Sequence, residues 1–335
     1  MSEGLKLDTE SAGLSLKLGE LIHQYEFSNQ AEAKSTYTVR GYTEILTQLL
    51  RYLKAELSSD NLSVFNITTI RRYIIFLRER FKFQDHPYMP AQKAPLSPKT
   101  IQCHARAIKA FSTWLYDEGY TAENRLKNLK LPKAPLKIIK PLSEKEISTV
   151  TGFINRKSII GRRNYAILNT MLDTGLRAHE VITIIISKIN FTEGYITIIG
   201  KGDKERMVPI GKYIQALLLE YINTVRPALL KSDCDILFLS IDGKPMTVNS
   251  LKLMFSRLAR ESGVPRLHAH LCRHTFAINY LMNGGDIFSL KEILGHTTLD
   301  MVSHYLHFTQ SQLIARHNKF SPMDRLHASQ NKEKE

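Results

Sequence analysis

The sequence predicts a mainly α-helical (α+β) protein with two domains. Apolar residues recur every three or four positions over most of residues 14–118, which is the period of amphipathic helices. Further along, two short apolar runs flank a Gly-Lys-Gly-Asp turn, a pattern typical of a β-hairpin. Between these regions, prolines and lysines are interleaved over residues 129–141, which predicts a break between the two domains.

The first domain is predicted to be a group of four helices over residues 13–128, preceded by a flexible N-terminus at residues 1–12. Helical periodicity begins near Leu14. Three further helices are predicted over residues 38–56, 67–81 and 97–118. The last of them opens with Ser-Pro-Lys-Thr, which suits a capped start because proline is tolerated in the first turn of a helix. Residues 85–98 contain four prolines and are predicted to be a loop.

The segment 129–141 is predicted to be a semi-rigid, basic linker. Its three prolines oppose helix and sheet, and four lysines lie between apolar residues. We therefore expect it to connect the two domains without belonging to either core.

The second domain is predicted over residues 142–325, with a charged tail at residues 326–335. It opens at Ser143, which has the spacing of a capping box with Glu146. Most of this domain is predicted to be helical, apart from the hairpin, which forms a small sheet. The predicted strands of the hairpin are residues 195–199 and 206–210.

The charge of the chain points to a polyanionic partner. The formal net charge is +14 and the pI is near 9.6. Residues 36–140 hold 18 lysines and arginines against eight acidic side chains, and residues 141–335 carry a further excess of seven positive charges. Because basic surfaces bind nucleic acid by releasing condensed counterions, we expect both domains to contact a nucleic acid. A basic, solvated surface without a partner is the alternative.

The location of the protein is predicted to be cytoplasmic. No apolar run approaches the roughly 18 residues that a membrane span needs, and we find no signal peptide or amphipathic anchor, so no membrane partner is expected. The three cysteines, Cys103, Cys234 and Cys272, form no CxxC pair and cannot build a disulfide framework. This cysteine usage suits a reducing compartment.

Five motifs in the second domain carry residues suited to cleaving a phosphodiester. Two arginines can hold a phosphate through paired hydrogen bonds, a lysine and histidines can transfer protons, and a tyrosine hydroxyl can attack phosphorus. This chemistry requires neither a metal nor a cofactor. The candidate residues are Arg177, Lys201, His270, Arg273, His296 and Tyr305.

The order and spacing of these motifs resemble the tyrosine recombinase (phage integrase) family, whose motifs run Arg, Lys, His-x-x-Arg, Gly-His and Tyr. The resemblance covers nearly the whole chain and is sharpest over residues 141–312. One such motif is weak, but five in order are specific. The quoted signatures are Thr174-Gly-Leu-Arg177, Gly200-Lys-Gly-Asp-Lys-Glu-Arg206, His270-Leu-Cys-Arg273-His274 and Leu294-Gly-His296, with Tyr305 nine residues after His296.

The resemblance implies a simple two-domain enzyme. Its N-terminal helical part corresponds to the core-binding domain of the family, and its mixed, mostly helical part with the small sheet corresponds to the catalytic domain. We expect no separate arm-site module of the kind found in some phage integrases, because little sequence precedes the first helices.

The resemblance also assigns the residues that stabilise charge on the scissile phosphate. Arg177 and Arg273 neutralise the charge that grows on the nonbridging oxygens, and His296 donates another hydrogen bond. Glu180 is expected behind Arg177, holding its guanidinium toward the phosphate. Taken alone, Arg177 and Glu180 are more typical of an ordinary surface pair one helical turn apart.

The remaining residues are assigned to nucleophilic attack and proton transfer. Tyr305 attacks phosphorus, and His270 assists the transfer of its proton. Lys201 protonates the leaving 5' hydroxyl from the hairpin turn. Lys204 is the fallback for this acid, and Arg206 is a further rival in the same segment.

A zinc site is the main alternative for the histidine cluster, since His270 and His274 are four residues apart with Cys272 between them. We reject it because Cys272, two residues from either histidine, would face away from both on a helix. His270 and Arg273, by contrast, lie on adjacent turns of one helical face and can reach one phosphate together. His274 is interpreted as structural.

The predicted function is site-specific DNA recombination through a 3'-phosphotyrosine intermediate, for the integration or excision of a mobile element. Xer-type resolution of replicon multimers and a non-catalytic DNA-binding regulator of the same fold are alternatives, and the same chemistry could serve type IB topoisomerase-like relaxation or hairpin telomere resolution. The resemblance implies self-association as a tetramer on two DNA sites, with residues 309–325 passed to a neighbouring subunit. It also leaves room for accessory DNA-bending proteins.

Overall fold

The computed structural model describes residues 16–82, 84, 90, 92–135, 139–200, 205–295, 317, 321 and 323. The chain divides into two compact units, Met1–Lys137 and Ile138–Glu335. The predicted outer bounds of the two domains and of the linker stay predictions. In the described part of the chain, no helix combines the length and the apolar character needed to cross a membrane.

The first unit is helical. Its helices are α1 (Leu18–Ala31), α2 (Thr36–Leu57), α3 (Ile67–Glu79) and α4 (Pro98–Asp117), with a short 3-10 turn at Leu62–Val64. Helix α2 packs against α1 and α4, and α4 also packs against α3. Each helix contributes one apolar side to a shared core, in which Leu46, Leu53, Ile70, Phe111 and Leu115 are fully buried.

Side-chain caps explain where three of these helices begin. Ser35 accepts a hydrogen bond from the Thr38 amide at 3.2 Å, and Ser97 accepts one from the Thr100 amide at 3.0 Å, with Pro98 in the first turn. Asn66 caps α3 in the same way. The predicted helices 38–56, 67–81 and 97–118 are confirmed, each boundary lying within two residues of the observed one.

The start of the first helix differs from the prediction. Leu16 and Lys17 are extended instead of helical, because their segment pairs with the chain near Asn61 in an isolated β-bridge. The Leu62 amide donates to the Leu16 carbonyl at 2.8 Å, and the Leu18 amide donates to the Asp60 carbonyl at 2.7 Å. Helix α1 therefore begins at Leu18 and not near Leu14, which lies outside the described residues.

The second unit is mixed and mostly helical. Its helices are α5 (Glu144–Phe153), α6 (Ile159–Thr174), α7 (Ala178–Ile182), α8 (Lys212–Glu220), α9 (Arg226–Leu229), α10 (Val248–Glu261), α11 (Ala269–Met282) and α12 (Ile287–Leu294). The unit also has a 3-10 turn at Ile186–Lys188 and a π-helical turn at Tyr221–Val225. Helix α6 packs against α8 and α11, and its Ile167 and Met171 are fully buried in the main core.

The sheet has three antiparallel strands in the order β1 (Ile189–Asn190), β2 (Tyr195–Ile199) and β3 (Glu205–Pro209). The predicted hairpin is confirmed, with its second strand beginning one residue earlier because Glu205 pairs with Ile199. Strand β3 also packs against α12. The predicted α+β fold class is therefore confirmed.

The predicted capping box at the start of the second domain is also confirmed. The Glu146 amide donates to the Ser143 hydroxyl at 3.3 Å, and the Ser143 amide donates back to the Glu146 carboxylate at 2.8 Å. Arg266 donates to the same carboxylate through Nε and Nη2, at 2.8 and 2.6 Å. This pairing lowers the pKa of Glu146 to about 2.

Candidate active site

A glycine turn at the end of α6 places Arg177. Gly175 has φ +63°, in the left-handed region that suits glycine, and it ends α6 as its C-cap. A Cβ atom at Gly175 would come within 2.4 Å of the Phe276 ring. The close packing and the backbone conformation both require glycine there. The chain then turns so that Arg177 becomes the first residue before α7.

A buried carboxylate holds Arg177. Glu180 is only 5% exposed, and it accepts the Arg177 amide at 2.8 Å and the Arg177 Nη1 at 2.9 Å. The Arg177 side chain itself is 35% exposed. The predicted contact between Glu180 and Arg177 is present, and because Glu180 is buried it is not an ordinary surface pair. The role of Arg177 in chemistry stays a prediction.

Arg206 is a second partner of Glu180, and the sequence did not predict this contact. Its Nη1 and Nη2 donate to the two carboxylate oxygens of Glu180 at 3.0 and 2.8 Å. Its Nε donates to the Ile293 carbonyl at 2.9 Å, and the side chain is 13% exposed. Because this guanidinium is committed to a buried carboxylate and a backbone oxygen, it is unsuited to the role of rival acid.

The two arginines keep Glu180 ionised. Burial raises the pKa of Glu180. The hydrogen bonds and charge of Arg206, together with the hydrogen bonds from the Arg177 amide and side chain, outweigh this effect and lower the pKa to about 2. A folded-state pKa below the ordinary value of 4.5 means that the carboxylate stabilises the fold fully above that pH. This stabilisation is lost as the pH falls toward 2.

We expect Glu180→Gln to lower the free energy of unfolding by about 3 kcal/mol at pH 7, because it leaves two guanidinium groups without their shared counter-charge. The difference from the unchanged protein should stay constant down to about pH 4.5 and shrink at lower pH. Urea denaturation between pH 7 and pH 3 measures it. Glu205→Gln is the matched control, since the exposed Glu205–Lys188 pair is worth about 1 kcal/mol or less. A difference that does not change with pH contradicts this account of Glu180.

Helix α11 carries His270 and Arg273 on neighbouring turns. Arg273 is 3% exposed, and its Nη1 and Nη2 donate to the carbonyls of Gly175 and Leu294, both at 2.8 Å. Arg273 thus joins the end of α6 to the end of α12. The His270 ring reaches solvent, yet the surrounding protein atoms and the charges of Arg273, His268 and Arg177 lower its pKa. A lowered pKa favours the neutral ring, which can accept a proton near pH 7.

The other members of the cluster lie apart from this group. Cys272 is fully buried in the core, and burial raises its pKa to about 12. His274 bonds through Nε2 to the Ile139 carbonyl, which ties the beginning of the second unit to α11. Since Cys272 points into the core while His270 reaches solvent, the two cannot share a metal ion, in agreement with the rejection of a zinc site.

Several predicted residues lie outside the described part of the chain. The site residues concerned are Lys201, the alternative acid Lys204, His296 and Tyr305. The segment 309–325 is described only at His317, Ser321 and Met323. The predicted roles of the four site residues and of this segment stay predictions.

The described residues bring two arginines to the backbone at the end of α12. The carbonyl of Gly295 receives Arg177 Nη2 at 3.3 Å, and the neighbouring carbonyl of Leu294 receives Arg273. Both guanidinium groups therefore donate to neighbouring backbone oxygens, and the positive charge of Arg177 contributes to the lowered pKa of His270. Two arginines and a histidine with a lowered pKa are suited to a phosphate group that undergoes proton-coupled chemistry.

Comparison with known proteins identifies the class. Residues 140–312 match the model of the phage integrase family. The chain is 29% identical to the tyrosine recombinase XerD of Staphylococcus aureus over 291 residues, which cover 83% of this chain and 98% of the relative. It is 32% identical to the XerD of Staphylococcus saprophyticus over 228 residues, which cover 68% of this chain and 77% of the relative.

Solved structures share the fold. The Tn1549 transposon integrase, in complex with a circular intermediate DNA, matches with a TM-score of 0.70 at 18% identity, covering 91% of this chain and 99% of the other. The XerH recombinase bound to its difH substrate matches with a TM-score of 0.65 at 20% identity, covering 90% of this chain and 84% of the other.

The fold and the family match define a tyrosine-dependent DNA strand transferase. The chain belongs to the phage integrase family, the tyrosine recombinases. It is an enzyme of site-specific recombination that cleaves and rejoins DNA through a covalent bond to a tyrosine.

Proposed function

We propose that Arg177 and Arg273 bind the scissile phosphate of a double-stranded DNA site, and that Tyr305 forms the covalent bond to it. His296 adds a hydrogen bond to the phosphate, and His270 takes up the proton of the Tyr305 hydroxyl. Lys201 protonates the leaving 5' oxygen. The phenolic oxygen bonds to phosphorus as the bond to the 5' oxygen breaks, leaving a 3'-phosphotyrosine and a free 5' hydroxyl.

The observation that carries this proposal is the meeting of Arg177 and Arg273 on adjacent carbonyls at the end of α12. Arg273 is locked in place by two backbone oxygens, and Arg177 is held by buried Glu180 while remaining partly exposed. Preorganised donors of this kind stabilise charge that develops in a transition state without further rearrangement. Because the phosphotyrosine retains the energy of the phosphodiester, a second 5' hydroxyl can reverse the step without ATP.

DNA as the substrate is supported by charge and by the neighbouring structures. The net charge of +14 suits a polyanion, and the matched Tn1549 integrase and XerH structures are DNA complexes. We assign the chain to the integration or excision of a mobile element. Xer-type resolution of replicon multimers is the second candidate, favoured by similarity to XerD over 98% of the length of that relative.

A trapping experiment tests the reaction. Fragments of the DNA that flanks the gene, nicked at many positions, are incubated with the protein, and linked DNA is recovered under denaturing conditions. We expect protein joined to the 3' phosphate of strands cut at specific sites. The amount of this adduct should be equal with and without EDTA, because every group assigned to the reaction is a side chain and none is a metal ion. Loss of the adduct in EDTA and its return on adding zinc or magnesium would contradict the mechanism. Binding without any adduct would favour a non-catalytic regulator.

Assembly into a tetramer on two DNA sites is proposed from the family resemblance, with residues 309–325 as the segment that contacts a neighbour. Deleting the chain from Thr309 onward should leave binding to a single site but abolish the larger complexes and recombination. Band shifts with one-site and two-site DNA count the bound subunits. A shortened protein that still recombines two sites would show that the segment is dispensable.

A further inference from the structure

The structure assigns a positioning role to Arg206. We propose that Arg206 aligns Arg177 and the end of α12 for the reaction, acting on the scissile phosphate only through these groups. The inference rests on the proposed roles of Arg177 and Arg273 and deepens them.

Arg206 links three elements that converge on the site. It lies on β3 of the hairpin, it donates two hydrogen bonds to Glu180 on α7, and it donates a third to Ile293 in α12. Glu180 in turn holds the Arg177 guanidinium at 2.9 Å. The carboxylate therefore lies between two arginines, one 13% exposed and the other 35% exposed. The buried arginine fixes the carboxylate, and the carboxylate fixes the accessible arginine.

The end of α12 is held by arginines on three consecutive residues. Ile293 receives Arg206 Nε, Leu294 receives Arg273 Nη2 and Gly295 receives Arg177 Nη2. Carbonyls at a helix C-terminus lack partners within the helix and carry partial negative charge, so cations stabilise them. The next residue in sequence is His296. Because the three arginines fix the backbone of residues 293–295, they also fix the position from which the chain continues to His296.

Gly295 makes this approach possible. Its φ is +61°, and a Cβ atom there would lie 3.1 Å from Cδ and Nε of Arg206. The glycine of the Leu-Gly-His motif thus serves the contact with Arg206 as well as the end of the helix.

A lysine cannot reproduce this arrangement. The planar guanidinium binds both carboxylate oxygens side by side and still directs Nε at Ile293, whereas an ammonium is a single point of charge. Arg206→Lys keeps the charge but loses the alignment. We expect it to slow single-turnover cleavage by about 10- to 100-fold, the usual effect of removing a group that orients a directly acting residue. DNA affinity should change little, because the Arg206 side chain is largely buried and its hydrogen bonds go to Glu180 and Ile293.

The test compares two substrates. In the second, a methylphosphonate replaces the scissile phosphate, so that a methyl group takes the place of one nonbridging oxygen and the negative charge is absent. A residue that acts through Arg177 matters less when that charge is missing. The defect of Arg206→Lys should therefore shrink on the methylphosphonate, as should that of Arg177→Ala. Because both rates come from one preparation, their ratio does not depend on the fraction of folded protein.

Arg163→Lys is the matched control. Arg163 is 7% exposed in the same unit, and it donates to the Leu239 carbonyl at 3.0 Å and to Asn164 at 2.9 Å, but not to Glu180 or α12. Its ratio of rates on the two substrates should equal that of the unchanged protein. Arg206→Gln, which also lacks the planar guanidinium, should behave like Arg206→Lys.

The outcomes separate the two proposals. An equal defect of Arg206→Lys on both substrates, or no defect, overturns the positioning role while leaving the proposed function intact. If the unchanged protein forms no adduct with the charged substrate, the proposed function itself fails. A smaller defect on the neutral substrate, seen in Arg206→Lys and absent in Arg163→Lys, supports the positioning role.

Discussion

Replacing Tyr305 with phenylalanine should abolish covalent attachment to DNA while leaving DNA binding unchanged. The substitution removes only the phenolic hydroxyl, the atom assigned to attack phosphorus. Tyr305 is the candidate because it stands nine residues after His296, at the spacing of the family's nucleophile. Loss of a nucleophile lowers the rate by about four orders of magnitude or more, so no adduct should be detected.

Denaturing gels of a nicked suicide substrate measure this adduct, and band shifts on the same DNA measure binding. Tyr280→Phe is the matched control, because Tyr280 lies on α11 and its ring packs against Phe276. It should form the adduct at the rate of the unchanged protein. An adduct that persists in Tyr305→Phe would remove the assignment, and mapping the linked peptide would identify the true nucleophile.

The second large effect concerns the leaving group. Lys201→Ala should cleave an ordinary phosphodiester about 100-fold or more slowly, because a 5' alkoxide leaves poorly without a proton. A 5'-bridging phosphorothiolate instead releases a thiolate of far lower basicity. Most of the Lys201→Ala defect should disappear on this substrate. Single-turnover cleavage of matched oxygen and sulfur substrates measures the difference.

Two variants make this test specific. Arg177→Ala should stay impaired on the sulfur substrate, because both substrates need its charge in the transition state. Lys204→Ala should cleave both substrates at nearly the rate of the unchanged protein, since the general acid is assigned to Lys201 and this variant retains it. If sulfur rescues Lys204→Ala but not Lys201→Ala, the acid is Lys204.

Much of the fold was predictable because the signals are local. Ser97 and Pro98 mark the start of α4, and Ser143 with Glu146 marks the start of α5, through contacts that span only three residues. The hairpin was predictable for the same reason. The start of α1 was not, because Leu16 and Lys17 pair with a segment more than 40 residues away.

The candidate site divides in the same way. The motifs identify Arg177, His270 and Arg273, and the proximity of Glu180 to Arg177 follows from a separation of three residues. The bond between Arg206 and Glu180 spans 26 residues, and the sequence offered Arg206 only as a competitor of Lys201. The one available signal was that Arg206 ends the Gly-Lys-Gly signature and begins a predicted strand, which does not indicate where its side chain points.

The sequence by itself determined the class of enzyme, the order of its helices and strands, and the types of residue available for chemistry, because these depend on residue identity and on short-range spacing. Only the tertiary structure decided what each arginine holds. Three arginines bond to consecutive carbonyls at the end of α12 across long stretches of chain. The hydrogen bond from Arg206 to Ile293 spans 87 residues, that from Arg273 to Leu294 spans 21, and that from Arg177 to Gly295 spans 118. A largely buried guanidinium must find acceptors, but which acceptors it finds depends on how α6, α11, α12 and β3 pack together.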